Sequence, residues 1–312
     1  MNAVNRVPFD QIHYVWDHAI PPALTVHAGE PFEVAVRDAS GLQLRPGTSL
    51  SRLRSLDLSG FWPMSGPVAV QDSRPGDALE VEIVSLTIGS HGWTALIPER
   101  GLLRADFTKP YLHSWELPDD PAVTTALLRP GVRVPLQPAL GVAGCAPKPE
   151  GTSSPVPPRH SGGKLDLPWL GVGARILLPV QVPGALVSFG QPRAAQGAGE
   201  VCGWGIECEG TLVVRATIHR GAAPANPVVI LPPRPPAALP ERRVTLASAA
   251  NPADAARTAT HDMIAWLRAE RGLSRELAYI LCSVAADLAI VQAVNTPHWT
   301  VSLSLPLSVF TG

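Results

Sequence analysis

Apolar residues alternate with polar ones in segment after segment of this chain, and prolines and glycines punctuate the segments. In PGDALEVEIVSL, residues 75–86, Leu79, Val81 and Ile83 interleave with Glu80 and Glu82, the period of a strand with one face buried. GTLVVRATIHRG repeats the pattern with Leu212, Val214, Ala216 and Ile218, and TVSLSLPLSVF carries it through Val301, Leu303, Leu305, Leu307 and Val309. Pro306 within that last run belongs on an edge strand or at a bulge, because it donates no ladder hydrogen bond. The 34 prolines and 27 glycines suit many short strands joined by tight turns.

Helical periodicity is confined to the last quarter. Asn251-Pro252 offers a cap followed by proline at the first helical position, and Ala256, Met263, Ile264 and Leu267 share a face that runs to Gly272. Ser274 opens a second helix, predicted through Leu277, Leu281, Val284, Leu288 and Val291 to the stop at Asn295-Thr296-Pro297. The expected fold is therefore α+β and mainly β, with sandwich- or barrel-like regions. An N-terminal β region, 1–145, precedes a second β region, 146–312, that carries a helical hairpin at about 252–294 packed on the sheet and a C-terminal strand. PPRPPAALPERR, beginning at Pro232, reads as an extended connector, and CAPKPEGTSSPVPPRHSGG, 145–163, as a long loop.

Charge and cysteine content narrow the function. With 25 Lys+Arg against 26 Asp+Glu and no basic run, the electrostatic footprint of a nucleic-acid binder is missing. The start, MNAVNRVPFDQIHYVWDH, has no apolar signal core, and the longest apolar run, YILCSVAADLAIVQAV, is broken by Asp287. A cytoplasmic protein with no membrane partner is expected. Cys145, Cys202, Cys208 and Cys282 form no C-x-x-C pair and are expected to be buried, unreactive thiols. G-x-S-x-G, G-x-x-x-x-G-K-[ST], H-E-x-x-H and a strand-associated G-x-G-x-x-G are all missing.

What remains is polar residues gathered in three segments, two of them set among glycines that permit close approach of a ligand. HSGGKLD holds His160, Lys164 and Asp166; GQPRAAQGAGE holds Gln191, Arg193, Gln196 and Glu200; HYVWDH holds His13, Asp17 and His18. These segments, together with WPMSGPVAVQDSRPGDALEVEI, GVAGCAP and GLSRELAYILCSVAADLAIVQAV, resemble in order and over nearly the whole chain the acetamidase/formamidase family. The resemblance implies a mainly β, metal-associated amide hydrolase that forms dimers or larger homo-oligomers. The family pattern is close to P-G-A-L-x-x-x-G-D-x-H-A-x-Q-G-D-G-E, with G-G-N-x-D upstream. Against it, Pro183, Gly184, Ala185, Leu186, Gly190, Ala194, Gln196, Gly197, Gly199, Glu200, Gly163 and Asp166 are kept.

The departures concern charge. Gln191 and Arg193 stand where the family has Asp and His, Ala198 where it has Asp, Lys164 where it has Asn, and Trp62 where it often has His. Groups that hold a divalent cation are lost and two cationic side chains, which carry donors only, are gained. The pattern thus points to a site without a metal cofactor, zinc or calcium being the alternative if a metal site persists.

Glu200, Asp166 and Lys164 are the candidate catalytic residues, and Arg193, Gln191, Gln196 and His160 the candidate substrate-binding ones. Asp17 and Asp77 read as turn residues, and Trp62, Trp93, Trp169 and Trp204 as core or as a pocket wall. Three readings stand at this point: a hydrolase of a small carboxamide with altered substrate, a metal-independent lyase, isomerase or cyclase acting on an anionic or apolar small molecule, and a non-catalytic binding homologue.

Overall fold

A computed structural model describes residues 5–120, 122–233 and 241–310. Two long strands organise it. Ala78–Leu96 pairs antiparallel with Ile206–His219 from Ala78 opposite His219 to Trp93 opposite Glu207. On its other edge Ala78–Leu96 takes Arg175–Pro179 at its start and Tyr111–Glu116 at its end. Ile206–His219 likewise takes Pro31–Val36 and, at Glu207, the strand Val187–Ala195. Two of the three alternating runs read from the sequence, Leu79 to Ile83 and Leu212 to Ile218, lie within these strands.

Among the described residues the resulting sheet has sixteen strands, with a separate two-stranded hairpin, Thr125–Arg129 with Val132–Pro135. Strands from either side of residue 145 interleave in it: Val187–Ala195 pairs with both Ala139–Cys145 and Met64–Val70. Phe32, Val68, Val81, Ile83, Ile176 and Phe189, drawn from five strands, pack into one buried cluster. Layers of β-structure closing on a shared apolar core make this a mainly β protein.

The helix Pro252–Arg271, α1, begins and ends where the sequence signals place it. Asn251 accepts a hydrogen bond from the Ala253 amide at 2.8 Å, and Gly272 closes the helix in the left-handed conformation, φ 62°. Its buried stripe is Ala255, Ala259, Met263 and Leu267, which packs on the strands Arg242–Ala249 and Trp299–Pro306. Ala256 and Ile264 flank that stripe and are half-buried. Asn251→Ala is expected to lower stability by about 1 kcal/mol, measured by urea denaturation, because it leaves first-turn N–H groups without an acceptor.

The second helix is shorter than its apolar periodicity suggests. The helix Arg275–Ala285, α2, buries Ala278 and Cys282, while Leu277 is 56% exposed. Asp287–Gln292, read as the continuation of this helix, is instead a strand antiparallel to Trp299–Pro306. Leu288 and Val291 satisfy a helical repeat, but the run also carries β-branched Ile290 and Val291, and the alternating C-terminal strand supplies a ladder for it. Arg242 clamps Asp287 in a salt bridge. Pro306 ends its strand two residues past the last pairing with Asp287–Gln292, so its missing N–H removes no bond on that side.

The 145–163 segment is a loop pinned by paired backbone hydrogen bonds between Trp16 and Ser153, 2.7 and 3.0 Å. The Pro-rich connector falls largely outside the described residues. Cys145, Cys208 and Cys282 are buried; Cys202 is half-buried, contrary to the expectation for all four. Among the described residues no helix is long and apolar enough to cross a membrane.

Candidate active site

Three adjacent strands build the site. Ala139–Cys145 pairs with Gly162–Lys164 on one side and with Val187–Ala195 on the other, so Val142 stands opposite both Lys164 and Gly190. Gly141, in the middle strand, is what lets the flanking side chains meet. A methyl there would lie 2.5 Å from Gln191 Oε1 and 2.9 Å from Arg193 Nη2. Gly163 (φ 127°) serves the neighbouring turn, where a methyl would strike the Pro155 carbonyl at 2.8 Å.

Lys164, Asp166, Arg193 and Glu200 form a closed ring of charges, each at most 3% exposed. Lys164 Nζ donates to Asp166 Oδ2 at 2.7 Å and to Glu200 Oε2 at 3.0 Å. Arg193 Nη1 donates to Asp166 Oδ1 at 3.2 Å and to Glu200 Oε1 at 2.8 Å. Asn295 Nδ2 completes Asp166 at 2.7 Å, and Gln196 Nε2 donates to the Asp166 backbone carbonyl at 2.9 Å. Burial draws the Lys164 ammonium down, but the two carboxylates outweigh it and hold the group charged, above the ordinary lysine value. Glu200 is pushed above the usual carboxylate range by burial and then by Asp166, against the pull of Lys164 and Arg193.

The backbone is strained at the same place. Asp166, Gln191 and Glu200 have φ of 54°, 53° and 49°, a left-handed conformation that side chains with a Cβ rarely adopt. Three strained residues converging on one buried charge cluster mark a preorganised site.

A second layer lies beneath the ring. Glu207, fully buried and paired across strands with Arg193, accepts from Gln191 Nε2 at 3.2 Å and from the Gly205 amide at 3.0 Å, both on Oε1. Burial pushes Glu207 up to about 8, with Arg193 the main opposing influence. Beside the ring, Asn295, Trp62, Glu99, Arg100 and Arg104 line a cavity of about 160 Å³. Trp62 stacks on Trp204, which packs against Trp93 in an apolar cluster.

Six of the seven candidate residues thus gather here: Lys164, Asp166, Arg193 and Glu200 in the ring, and Gln191 and Gln196 against it. His160 does not join them; it is exposed and lines a separate cavity with Asn226 and Thr300. His13 instead bonds Ser188 Oγ at 2.9 Å, and Asp77 holds the Arg74–Asp77 turn and Arg220. Glu207, Asn295 and Gly141 are members that sequence reasoning missed. Glu207 had one signal, a carboxylate between the apolar Ile206 and Cys208 at the start of a strand.

The donor chemistry of the ring does not fit a divalent cation. Each carboxylate oxygen of Asp166 and Glu200 already accepts from an ammonium, guanidinium or amide, and Lys164 Nζ lies between the two carboxylates. Among the described residues no group of three or more His, Cys, Asp or Glu is arranged to hold a metal.

Comparison with known proteins agrees with this architecture. The structure superposes on a recombinant predicted acetamidase/formamidase from Thermoanaerobacter tengcongensis with a TM-score of 0.89 and 28% identity, over 98% of this chain and 96% of that one. An acetamidase from Bacillus halodurans gives 0.88 and 29%, over 98% of both. The acetamidase of Mycolicibacterium smegmatis is 27% identical over 67% of this chain; the match spans 66% of that relative's own length, just under two thirds. The model of the Acetamidase/Formamidase family matches residues 4–154 and 149–312. This chain belongs to the acetamidase/formamidase family.

Proposed function

We propose that this chain hydrolyses the C–N bond of a small carboxamide at the Lys164–Asp166–Arg193–Glu200 ring, without a metal ion. The observation that carries this reading is Glu200: a carboxylate kept from the family pattern, strained, buried, and pushed above its usual range beside two cations. Such a group is suited to take a proton from water and return it to a leaving amine. Water oxygen bonds to the carbonyl carbon as the C=O electron pair moves to oxygen. Arg193 and Lys164 supply the positive charge that this oxygen needs. The C–N bond then breaks, the nitrogen keeps the electron pair and takes the proton from Glu200, and acid and amine leave. Asp166, held by Asn295, orients both cations.

The modest cavity beside Asn295 suits a small substrate, and Arg100 and Arg104 on its wall favour an amide that also bears a carboxylate. One observation favours a non-catalytic binding protein: the carboxylate oxygens of the ring are all engaged. Glu200 therefore has to exchange one partner for water when substrate arrives.

Ammonia release from a panel of formamide, acetamide and carboxylate-bearing primary amides separates the two. Turnover is expected, unaffected by chelator, and Glu200→Gln is expected to reduce it about 100-fold or more. Release no greater than that of Glu200→Gln across the panel would establish the binding reading, and loss of activity on chelation would overturn the metal-free site.

A further inference from the structure

The buried layer under the charge ring contains polar atoms that the ring does not use. Arg193 spends Nη1 on Asp166 and Glu200, leaving Nε and Nη2 without a partner among the described residues. Gln191 Oε1, Gln196 Oε1 and Glu207 Oε2 are likewise buried and unpartnered. Two of these atoms, Gln191 Oε1 and Arg193 Nη2, border the same backbone position: a methyl on Gly141 would lie 2.5 and 2.9 Å from them. Glu207 joins them through its hydrogen bond from Gln191 and its cross-strand pairing with Arg193. Folded proteins seldom leave so many buried polar atoms unmatched in one place, so the set is organised around a polar guest.

The chemistry of the set selects the guest. Glu207 Oε1 accepts two N–H bonds, as the carbonyl oxygen of an un-ionised carboxyl group does. In the un-ionised form that burial favours, Oε2 carries the proton and is a donor. Oε2 and Arg193 Nη2 are then unspent donors, and the amide oxygens of Gln191 and Gln196 are unspent acceptors. A primary carboxamide presents this complement: one carbonyl oxygen and an NH2 group.

We propose that Glu207 is a catalytic residue of this chain, a neutral carboxylic acid that, with Arg193, hydrogen-bonds the substrate carbonyl oxygen and the oxyanion that develops on it, while Gln191 receives the amide NH2. This assignment rests on the amide-hydrolase reading. No proton leaves Glu207 in the step; its O–H bond only strengthens its hydrogen bond as charge grows on the substrate oxygen.

The surroundings keep the acid neutral. Burial raises Glu207 to about 8, Arg193 lowers it, Glu200 raises it and Lys164 lowers it. The neighbouring thiols Cys202 and Cys208 are themselves raised, first by burial, and contribute no thiolate near neutral pH. As pH climbs through about 8 the acid ionises, the donor becomes an acceptor, and turnover falls.

Two measurements on Glu207→Gln and Glu207→Leu test this. In the parent, kcat is expected to fall above about pH 8. Glu207→Gln retains a donor and is expected to keep measurable turnover without that alkaline limb. Glu207→Leu is expected to lose about 100-fold in kcat with little change in KM. Independently of activity, infrared spectra should show a buried carboxylic-acid carbonyl band at neutral pH that disappears in Glu207→Gln. An unchanged alkaline limb in Glu207→Gln, or no such band in the parent, overturns the assignment of Glu207 while leaving the hydrolase reading intact. A parent protein that hydrolyses no amide overturns both, and the band then reports only the protonation state.

Discussion

Replacing Lys164 by methionine is expected to lower the folding free energy by about 3–5 kcal/mol, one of the largest losses from a single substitution in this chain. Lys164 is 1% exposed and bonds both carboxylates of the ring. Methionine keeps most of the volume, so the loss isolates charge from packing. With Lys164 gone, Arg193 alone faces Asp166 and Glu200, leaving one buried negative charge uncompensated. The expected relief is protonation of Glu200, already raised above its usual range in the parent. The sign follows: a carboxyl whose folded pKa is raised contributes stability that is present below its unfolded pKa and is lost as pH rises through the folded one. The deficit of Lys164→Met should therefore be smallest in acid and grow toward alkaline pH.

Adding Glu200→Gln to Lys164→Met restores the charge balance of the ring, and is expected to recover a large part of the loss. Urea denaturation of the two single variants and the double variant, each across pH, measures the coupling directly. A deficit that is independent of pH and additive in the double variant would show that Lys164 acts through packing alone.

What the sequence made legible follows from where physical signals are local. The strands at 78–96 and 206–219 announce themselves because one face of each is apolar at period two, and α1 because Asn251, Pro252 and Gly272 each satisfy a terminus by themselves. Asp287–Gln292 was illegible because six residues fit two periods, and only the strand 299–306 decides between them. The ring residues Lys164, Asp166, Arg193 and Glu200 were found through the family pattern that they keep or break.

Glu207 was hidden by the alternation that reveals its strand. Leu212, Val214 and Ala216 are buried, and Glu209, Thr211 and Arg215 are not, so the odd positions read as the outward face. At the start of the strand that face is covered by Val187–Ala195, every residue of which is buried, and Glu207 turns inward against Arg193 and Gln191. Gln191 adds to the concealment, since its left-handed backbone interrupts the regular alternation of its own strand. Asn295 is 129 residues from the carboxylate it touches, a pairing that no local pattern encodes.

Reintroducing the family residues at the ring is expected to create a metal site where the present one is self-neutralised. In the parent, Lys164 and Arg193 balance Asp166 and Glu200, so a divalent cation would have to displace a buried ion pair to reach any carboxylate oxygen of the ring. Lys164→Asn removes one cation, Arg193→His exchanges the other for a neutral imidazole, and Gln191→Asp adds a carboxylate two residues from that imidazole. The combined variant then has three carboxylates and one imidazole, a set of donors suited to zinc and without an internal counter-charge. Ala198→Asp, the remaining family substitution, should add least, because Ala198 is exposed while positions 191 and 193 are buried.

Without metal the triple variant is expected to be destabilised by repulsion among the carboxylates. Zinc at about a hundredfold above Kd should return about 2.7 kcal/mol, read as a zinc-dependent rise in Tm that the parent does not show. The same titration with Glu200→Gln added should lose most of that rise, which ties the effect to the ring and not to surface histidines. A parent whose Tm rises with zinc as steeply as that of the triple variant would mean that the cations of the ring yield to a metal after all, and that Lys164 and Arg193 do not stand in its place.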